Sequence, residues 1–168
     1  MARTITLNGN TLTLVGNEVK VGDKAPEFTA TSQDMKDVKL SDFKGKVKVI
    51  ASFPSLDTPV CDLQVKEFNT RSAAFSADVA VIGISKDLPF AIKRFCGDHD
   101  IKNVVVSDYK TGQFGVNYGL LIDELKLLAR AVLIVDKNDV IRYIQIVPEI
   151  ATQPDYEAAL AALRGVMK

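Results

Sequence analysis

The sequence predicts an α/β fold in which a mixed central sheet is flanked by helices and preceded by a β-hairpin. Three observations lead to it. Residues 47–53 and 79–85 are short, apolar, β-branched runs that read as buried strands, and each is followed by a segment suited to a helix. This alternation of strand and helix implies parallel pairing through crossovers. Near the end, 130–135 and 140–147 flank Asp136-Lys137-Asn138-Asp139, a tight-turn composition that adds an antiparallel pair.

The elements follow in order. Residues 3–7 and 11–15 alternate with period two around Asn8-Gly9-Asn10, a β-hairpin signal. Residues 21–30, with Gly22 and Pro26, read as a loop ending in the extended piece Phe28-Thr29-Ala30. Val38-Lys39-Leu40 reads as a short strand, and Ser41 opens a single helical turn that Gly45 closes. The strand over 47–53 ends at Pro54, which has no N–H to give to a ladder. A helix follows over about 59–75, with Asp57 or Thr58 placed to cap it and Pro59 in its first turn. Val60, Leu63, Val65, Phe68 and Phe75 roughly mark its apolar side, and Lys66, Glu67 and Arg71 its wet side. After the strand at 79–85, Asp87 is placed to cap the next helix and Pro89 to open it. Cys96 is predicted at the end of that helix, with Gly97 just beyond. Val104-Val105-Val106 reads as a short strand and 113–118 as a helical turn between glycines. Residues 154–167 form the closing amphipathic helix, with Asp155 and Glu157 in its first turn and Arg164 near its last. The layout is thioredoxin-like. With no internal repeat, low-complexity tract or linker, residues 1–168 are read as one domain.

Length and composition suit that reading. A chain of 168 residues, 47% hydrophobic and 25% charged, is long enough to bury about 70% of its unfolded-chain surface. Twenty-one basic residues balance twenty-one acidic ones, which argues against nucleic acid or an anionic membrane as partner. Lys36, Lys39, Lys44, Lys46 and Lys48 cluster locally, but Asp34, Asp37 and Asp42 are interspersed, so a solvated mixed-charge surface is expected there. No apolar run reaches the ~18 residues a spanning helix needs, and MARTITLNGN holds no apolar segment of signal-peptide length. The expected location is the cytoplasm, where disulfides are usually catalytic or redox-sensing. Two cysteines, Cys61 and Cys96, are too few for a disulfide framework and, with His99, a poor set for zinc.

The chemistry is expected at Cys61. Behind a strand and a proline-bounded loop, in the first turn of a capped helix, a thiol faces unpaired N–H groups and the positive end of the macrodipole. Both favour the thiolate. The plainer alternative is a small buried hydrophobe.

The loop as a unit, Pro54-Ser55-Leu56-Asp57-Thr58-Pro59-Val60-Cys61, has the form P-x-x-x-T-x-x-C and resembles the active-site motif of the peroxiredoxins. PSLDTPVC is similar to the thiol peroxidase branch in particular, the atypical two-cysteine group. Agreement extends to SKDLPFAIKRFCG around Cys96, LLARAVLIVD around Arg130, the N-terminal hairpin and PDYEAAL, in the same order along nearly the whole chain. The resemblance implies that Cys61 is the peroxidatic cysteine, Cys96 the resolving cysteine, and Thr58, Arg130 and Pro54 the activating residues. Peroxide reduction needs a thiolate to attack one oxygen while the other leaves. A helix N-terminus and the Arg130 guanidinium would favour that thiolate and the charge on the leaving oxygen. The Thr58 hydroxyl can accept from the peroxide and donate toward sulfur. Pro54 offers no competing donor and would shield the sulfur. Each has a plainer alternative: Thr58 as an N-cap only, Arg130 as the partner of a surface carboxylate, Pro54 as a strand end.

Attack leaves Cys61 as a sulfenic acid that a second thiol can condense with, and Cys96 is the sole other thiol. The resemblance further implies hydrogen peroxide and alkyl hydroperoxides as substrates, a thioredoxin-type protein as reductant, a homodimer, and no metal, flavin or haem. His99, in Asp98-His99-Asp100, is expected to be a solvated loop residue. Gly112, Gly115 and Gly119 make no dinucleotide fingerprint. Asp136-Lys137-Asn138-Asp139 opens like a calcium loop but has Ile141 where that loop needs glycine. Two rival functions remain. A dithiol–disulfide oxidoreductase expects C-x-x-C, against which Gln64 stands. A redox sensor or thiol-relay binding protein would use the same cysteine pair.

Overall fold

The computed structural model describes residues 3–72 and 74–167. Strands β1 (Arg3–Leu7) and β2 (Asn10–Val15) form the hairpin, closed by Asn8 and Gly9 alone. Their φ values of 50° and 86° are the pair of left-handed conformations a two-residue type I′ turn requires. Next come β3 (Thr29–Thr31), β4 (Asp37–Lys39), a 3-10 turn at Leu40–Phe43, and β5 (Val47–Ser52). Helix α1 (Pro59–Ser72), β6 (Val79–Ser85), α2 (Pro89–Asp98), β7 (Val104–Ser107) and α3 (Gln113–Tyr118) follow. A two-residue strand β8 (Leu121–Ile122), β9 (Ala131–Val135), β10 (Ile141–Ile146) and α4 (Tyr156–Met167) complete the order.

The main sheet has seven strands in the order β10-β9-β5-β6-β7-β3-β4. Its centre, β5-β6-β7, is parallel, as the crossovers demand, and β9, β10, β3 and β4 pair antiparallel at the flanks. The mixed sheet is therefore as expected. Strand β5 is buried along its whole length, and its alternate side chains enter different cores. Ile50 packs with Ile82, Ile84, Phe114 and Tyr118, and Val49 and Ala51 pack with Phe68, Ala159 and Leu163. Helices α1, α2 and α4 thus cover one face, while α3 and the hairpin cover the other. The hairpin gains a third strand, because β8 pairs antiparallel to β2 through Leu14–Ile122 and Val15–Leu121. Two residues carry no detectable period, and the sequence did not reveal them.

Several expectations are corrected. Helix α1 stops at Ser72, with a turn at 74–75 that leaves Phe75 outside it; residue 73 lies outside the described residues. Leu63, expected on its apolar side, is 49% exposed, and Gln64 is wholly buried instead. Asp87 does not cap α2: Leu88 occupies the cap with extended backbone and no side-chain bond. That helix also runs through Gly97 to Asp98. The left-handed residue that turns the chain is Asp100 (φ 54°), and Ile101 N–H reaches back to the Cys96 carbonyl at 3.0 Å. Asp155 lies before α4, where its carboxylate accepts from Ala158 N–H at 3.0 Å and so caps the helix. Lys48, expected with its neighbours on a solvated surface, is 0% exposed because it lies on the central strand.

Candidate active site

Strand β5 delivers the chain to the site. Phe53 N–H still pairs with the Ile84 carbonyl at 3.1 Å, and Pro54, buried, then ends the ladder. The chain folds into a turn in which the Ser55 carbonyl accepts from Thr58 N–H (3.2 Å) and from the Thr58 hydroxyl (3.0 Å). Pro59 opens α1, and the Thr58 carbonyl takes the Asp62 N–H at 3.1 Å. Cys61 falls in this first turn, turned inward and wholly buried.

Arg130, just before β9, reaches it. The residue is 2% exposed. Its Nη2 donates to Cys61 Sγ at 3.1 Å, its Nη1 to Gln64 Oε1 at 2.7 Å and its Nε to the Ile150 carbonyl at 3.0 Å. Gln64 is held in turn, its Nε2 donating to the Ser52 carbonyl at 3.2 Å. The Ser52 hydroxyl ties β5 to the Ala129 carbonyl at 2.8 Å, next to Arg130. Among the described residues no carboxylate forms an ion pair with Arg130, so its one contact able to become an anion is the Cys61 sulfur.

Pro54, Thr58 and Arg130 line one depression of about 200 Å³, together with apolar residues that include Leu7, Leu125, Leu127 and Ile150. Three of the predicted residues thus meet at one cavity beside the buried thiol. Thr58 differs in detail from expectation. Its hydroxyl proton points to Ser55, so toward the cavity it offers an acceptor, and donation to sulfur needs the hydroxyl to turn.

Cys96, in the last turn of α2, is 5% exposed and shares an apolar cluster with Phe53, Leu56, Cys61, Val65, Ile92 and Val105. Both cysteines are free thiols. Burial pushes the Cys96 thiol up to about 11, since desolvation disfavours the charged form, and a hydrogen bond with Gln33 opposes the shift. His99 is exposed and lies against Phe95, with ring centroids 4.5 Å apart. Among the described residues no group of three His, Cys, Asp or Glu is placed to hold a metal ion.

Residues 20–160 match the Redoxin family. A thiol peroxidase of Halalkalibacterium halodurans is 46% identical over 97% of this chain and 98% of its own length. The chain belongs to the redoxin family, in its thiol peroxidase branch. It is a peroxidase of the oxidoreductase class. A thiol peroxidase of Bacillus subtilis is 44% identical, covering 98% of both chains. Among solved structures, a peroxiredoxin-like protein from Aquifex aeolicus superposes with a TM-score of 0.92 at 42% identity, covering 99% of this chain and 98% of its own. A thiol peroxidase from Chromobacterium violaceum, at 21% identity, shares the fold with a TM-score of 0.87 over 96% of this chain and 95% of its own.

Sequence reasoning missed three parts of the site. Gln64 lies three residues after Cys61 and so on the same helix face, a spacing that could have pointed to it. The Ile150 carbonyl and the Ser52–Ala129 tie left no sequence signal, because main-chain acceptors carry none. Among the described residues, no helix of this peroxidase is long and apolar enough to cross a membrane.

Proposed function

We propose that the protein reduces hydrogen peroxide and alkyl hydroperoxides through a cycle between Cys61 and Cys96. The observation that carries this reading is the 3.1 Å contact between the Arg130 guanidinium and Cys61 Sγ, both buried, with no carboxylate ion-paired to Arg130 among the described residues. There a fixed cation acts at low dielectric and needs no reorganisation as charge develops.

A hydroperoxide enters the depression lined by Pro54, Thr58 and Arg130. The Cys61 thiolate attacks the nearer oxygen, a sulfur–oxygen bond forms, and the O–O bond breaks. The departing oxygen leaves as hydroxide or alkoxide and takes up a proton, which makes water or an alcohol. Arg130 stabilises the charge on that oxygen, and the Thr58 oxygen accepts from the peroxide O–H to align it. Cys61 is then a sulfenic acid. The Cys96 thiol condenses with it, forming the disulfide and releasing water. A dithiol protein of thioredoxin type restores both thiols by exchange and becomes a disulfide itself.

Condensation needs Cα atoms within about 7 Å, and if the reduced fold holds Cys61 and Cys96 further apart than that, one helix end must open locally between the two steps. The last turn of α2 is suited to it: Gly97, Asp98 and His99 are all exposed, and a glycine inside a helix weakens it by about 0.5–1 kcal/mol. The thioredoxin-type reductant, a homodimeric assembly and a cytoplasmic location are parts of the proposal that rest on family resemblance.

The test is mass spectrometry of thiols after one equivalent of peroxide. Wild type is expected to form an intramolecular disulfide, Cys96→Ser to stop at the sulfenic acid, and Cys61→Ser not to react. An unreactive Cys61 overturns the proposal, and a Cys96→Ser variant that matches wild type overturns the role of Cys96.

A further inference from the structure

Asp87 sits between β6 and α2, far in sequence from Cys61, and its carboxylate is committed to the active-site loop rather than to the helix it precedes. Its Oδ1 accepts from the Ser55 hydroxyl at 2.8 Å, and its Oδ2 from Leu56 N–H at 2.8 Å and the Ser85 hydroxyl at 2.7 Å. Its own N–H donates to Ser85 Oγ at 3.2 Å, and its carbonyl accepts from the Ser107 hydroxyl. Asp87 is therefore anchored to the end of β6 by its side chain and to the end of β7 by its main-chain carbonyl, and its carboxylate holds the loop from that base. Hydrogen bonds to a charged acceptor are the strong ones, roughly twice the neutral kind.

Ser55 is the residue whose carbonyl receives the Thr58 hydroxyl and N–H. Its hydroxyl, bound to Asp87, also accepts from Asp57 N–H at 3.1 Å. Leu56, the other residue Asp87 holds, is buried against Cys61 and Cys96. A carboxylate on a rigid strand end thus fixes the short segment between Pro54 and Thr58 by two bonds, and through it the orientation of the Thr58 hydroxyl.

We propose that Asp87 is a positioning residue for peroxide reduction, acting through Ser55 to hold Thr58 and Pro54 against the buried thiol. This rests on the Cys61 cycle proposed above, for whose first step a misplacement of about 1 Å can lower the rate by about 100-fold. Asp87→Asn keeps the shape but replaces one acceptor oxygen with a donor, and Ser55→Ala removes the hydroxyl that donates to Asp87 and accepts from Asp57 N–H.

The experiment is single-turnover oxidation of Cys61 by hydrogen peroxide, followed by stopped flow in the Cys96→Ser background with folding verified by circular dichroism. Asp87→Asn is expected to lower the rate constant by about 10- to 100-fold. Alkylation of Cys61 by iodoacetamide does not use Thr58 and is expected not to fall. Adding Ser55→Ala to Asp87→Asn is expected to change the oxidation rate by less than about twofold, because both act on one path. Folded Asp87→Asn that oxidises at the unsubstituted rate overturns the proposal. So does a matching loss of alkylation, or full multiplication of the two effects. If Asp87→Asn does not fold, Ser55→Ala decides: an unchanged oxidation rate overturns the proposal, and a selective loss of peroxide reactivity supports it. If the unsubstituted Cys61 is not oxidised, the Cys61 cycle itself fails, a result distinct from any of these.

Discussion

Two buried cations occupy opposite ends of the same strand pair. Lys48 pairs in register with Val135 at one end of the β5–β9 ladder, and Arg130 precedes Ala131, the partner of Ser52, at the other. Four residues of strand separate the two ends, roughly 13 Å. Lys48, with a fully buried side chain, meets Asp139 Oδ1 at 2.5 Å and the Asp136 carbonyl at 3.3 Å. Arg130 meets an amide oxygen, a main-chain carbonyl and a sulfur. The first cation is balanced by a carboxylate of its own. The second has a neutral shell, which gives each of its three nitrogens a partner without cancelling its charge. A buried charge left unbalanced is unfavourable, and in the proposed cycle the balance falls to the anion at Cys61. One end of the sheet is a closed ion pair; the other is an open one that the reaction can use.

The largest effect expected is at the open end. Arg130→Met should lower the rate of Cys61 oxidation by about 100- to 1,000-fold, read by stopped flow with peroxide. A loss below tenfold would break the distinction between the two cations. Gln64→Leu should lower the same rate by about tenfold and stability by about 1–3 kcal/mol, because it takes the acceptor from buried Arg130 Nη1 and removes the bond to the Ser52 carbonyl. Denaturant unfolding alongside the kinetics separates the two losses.

Cys96 sharpens the contrast, because it is a buried thiol for which desolvation is the largest influence and no cation is among the causes. With its thiol raised to about 11, the neutral form dominates near neutrality and the thiolate fraction grows with pH. Disulfide formation from the Cys61 sulfenic acid should therefore speed up by about tenfold per pH unit below about pH 9. A pH jump after stoichiometric oxidation measures it, and a flat profile would contradict attack by the Cys96 thiolate. The smallest kinetic effect belongs to the closed pair. Lys48→Met should leave the oxidation rate within about twofold while lowering stability by about 1–3 kcal/mol, since the partly exposed Asp139 can be rehydrated. A large loss of peroxide reactivity in a folded Lys48→Met protein would mean that the two ends are coupled.

Much of the fold was legible because its signals are local. The runs at 47–53 and 79–85 are continuous and β-branched, Asn8-Gly9 dictates its own turn, and the strand–proline–helix succession places Cys61 in a first helical turn. Errors arose where a local rule met a tertiary claim on the same residue. Asp87 stands where a helix cap belongs, yet two donors from the loop after β5 and the nearby Ser85 hydroxyl take its carboxylate. Gln64 is polar and reads as wet, yet a buried guanidinium and a strand carbonyl supply both of its partners. Lys48 belongs to a charged cluster in the chain, yet the strand it rides on is the centre of the sheet.

By itself, then, the sequence determined the order of the elements, the parallel centre of the sheet and the thiol mount, because periodicity, turn chemistry and helix entry depend on near neighbours. Only the tertiary structure decided which atoms surround that thiol. Arg130 and Cys61 are brought together by the β5–β9 register, Gln64 is turned inward by what it meets there, and Asp87 holds a loop some thirty residues before it. Those contacts depend on packing between distant segments, whose free energy no single stretch of chain contains.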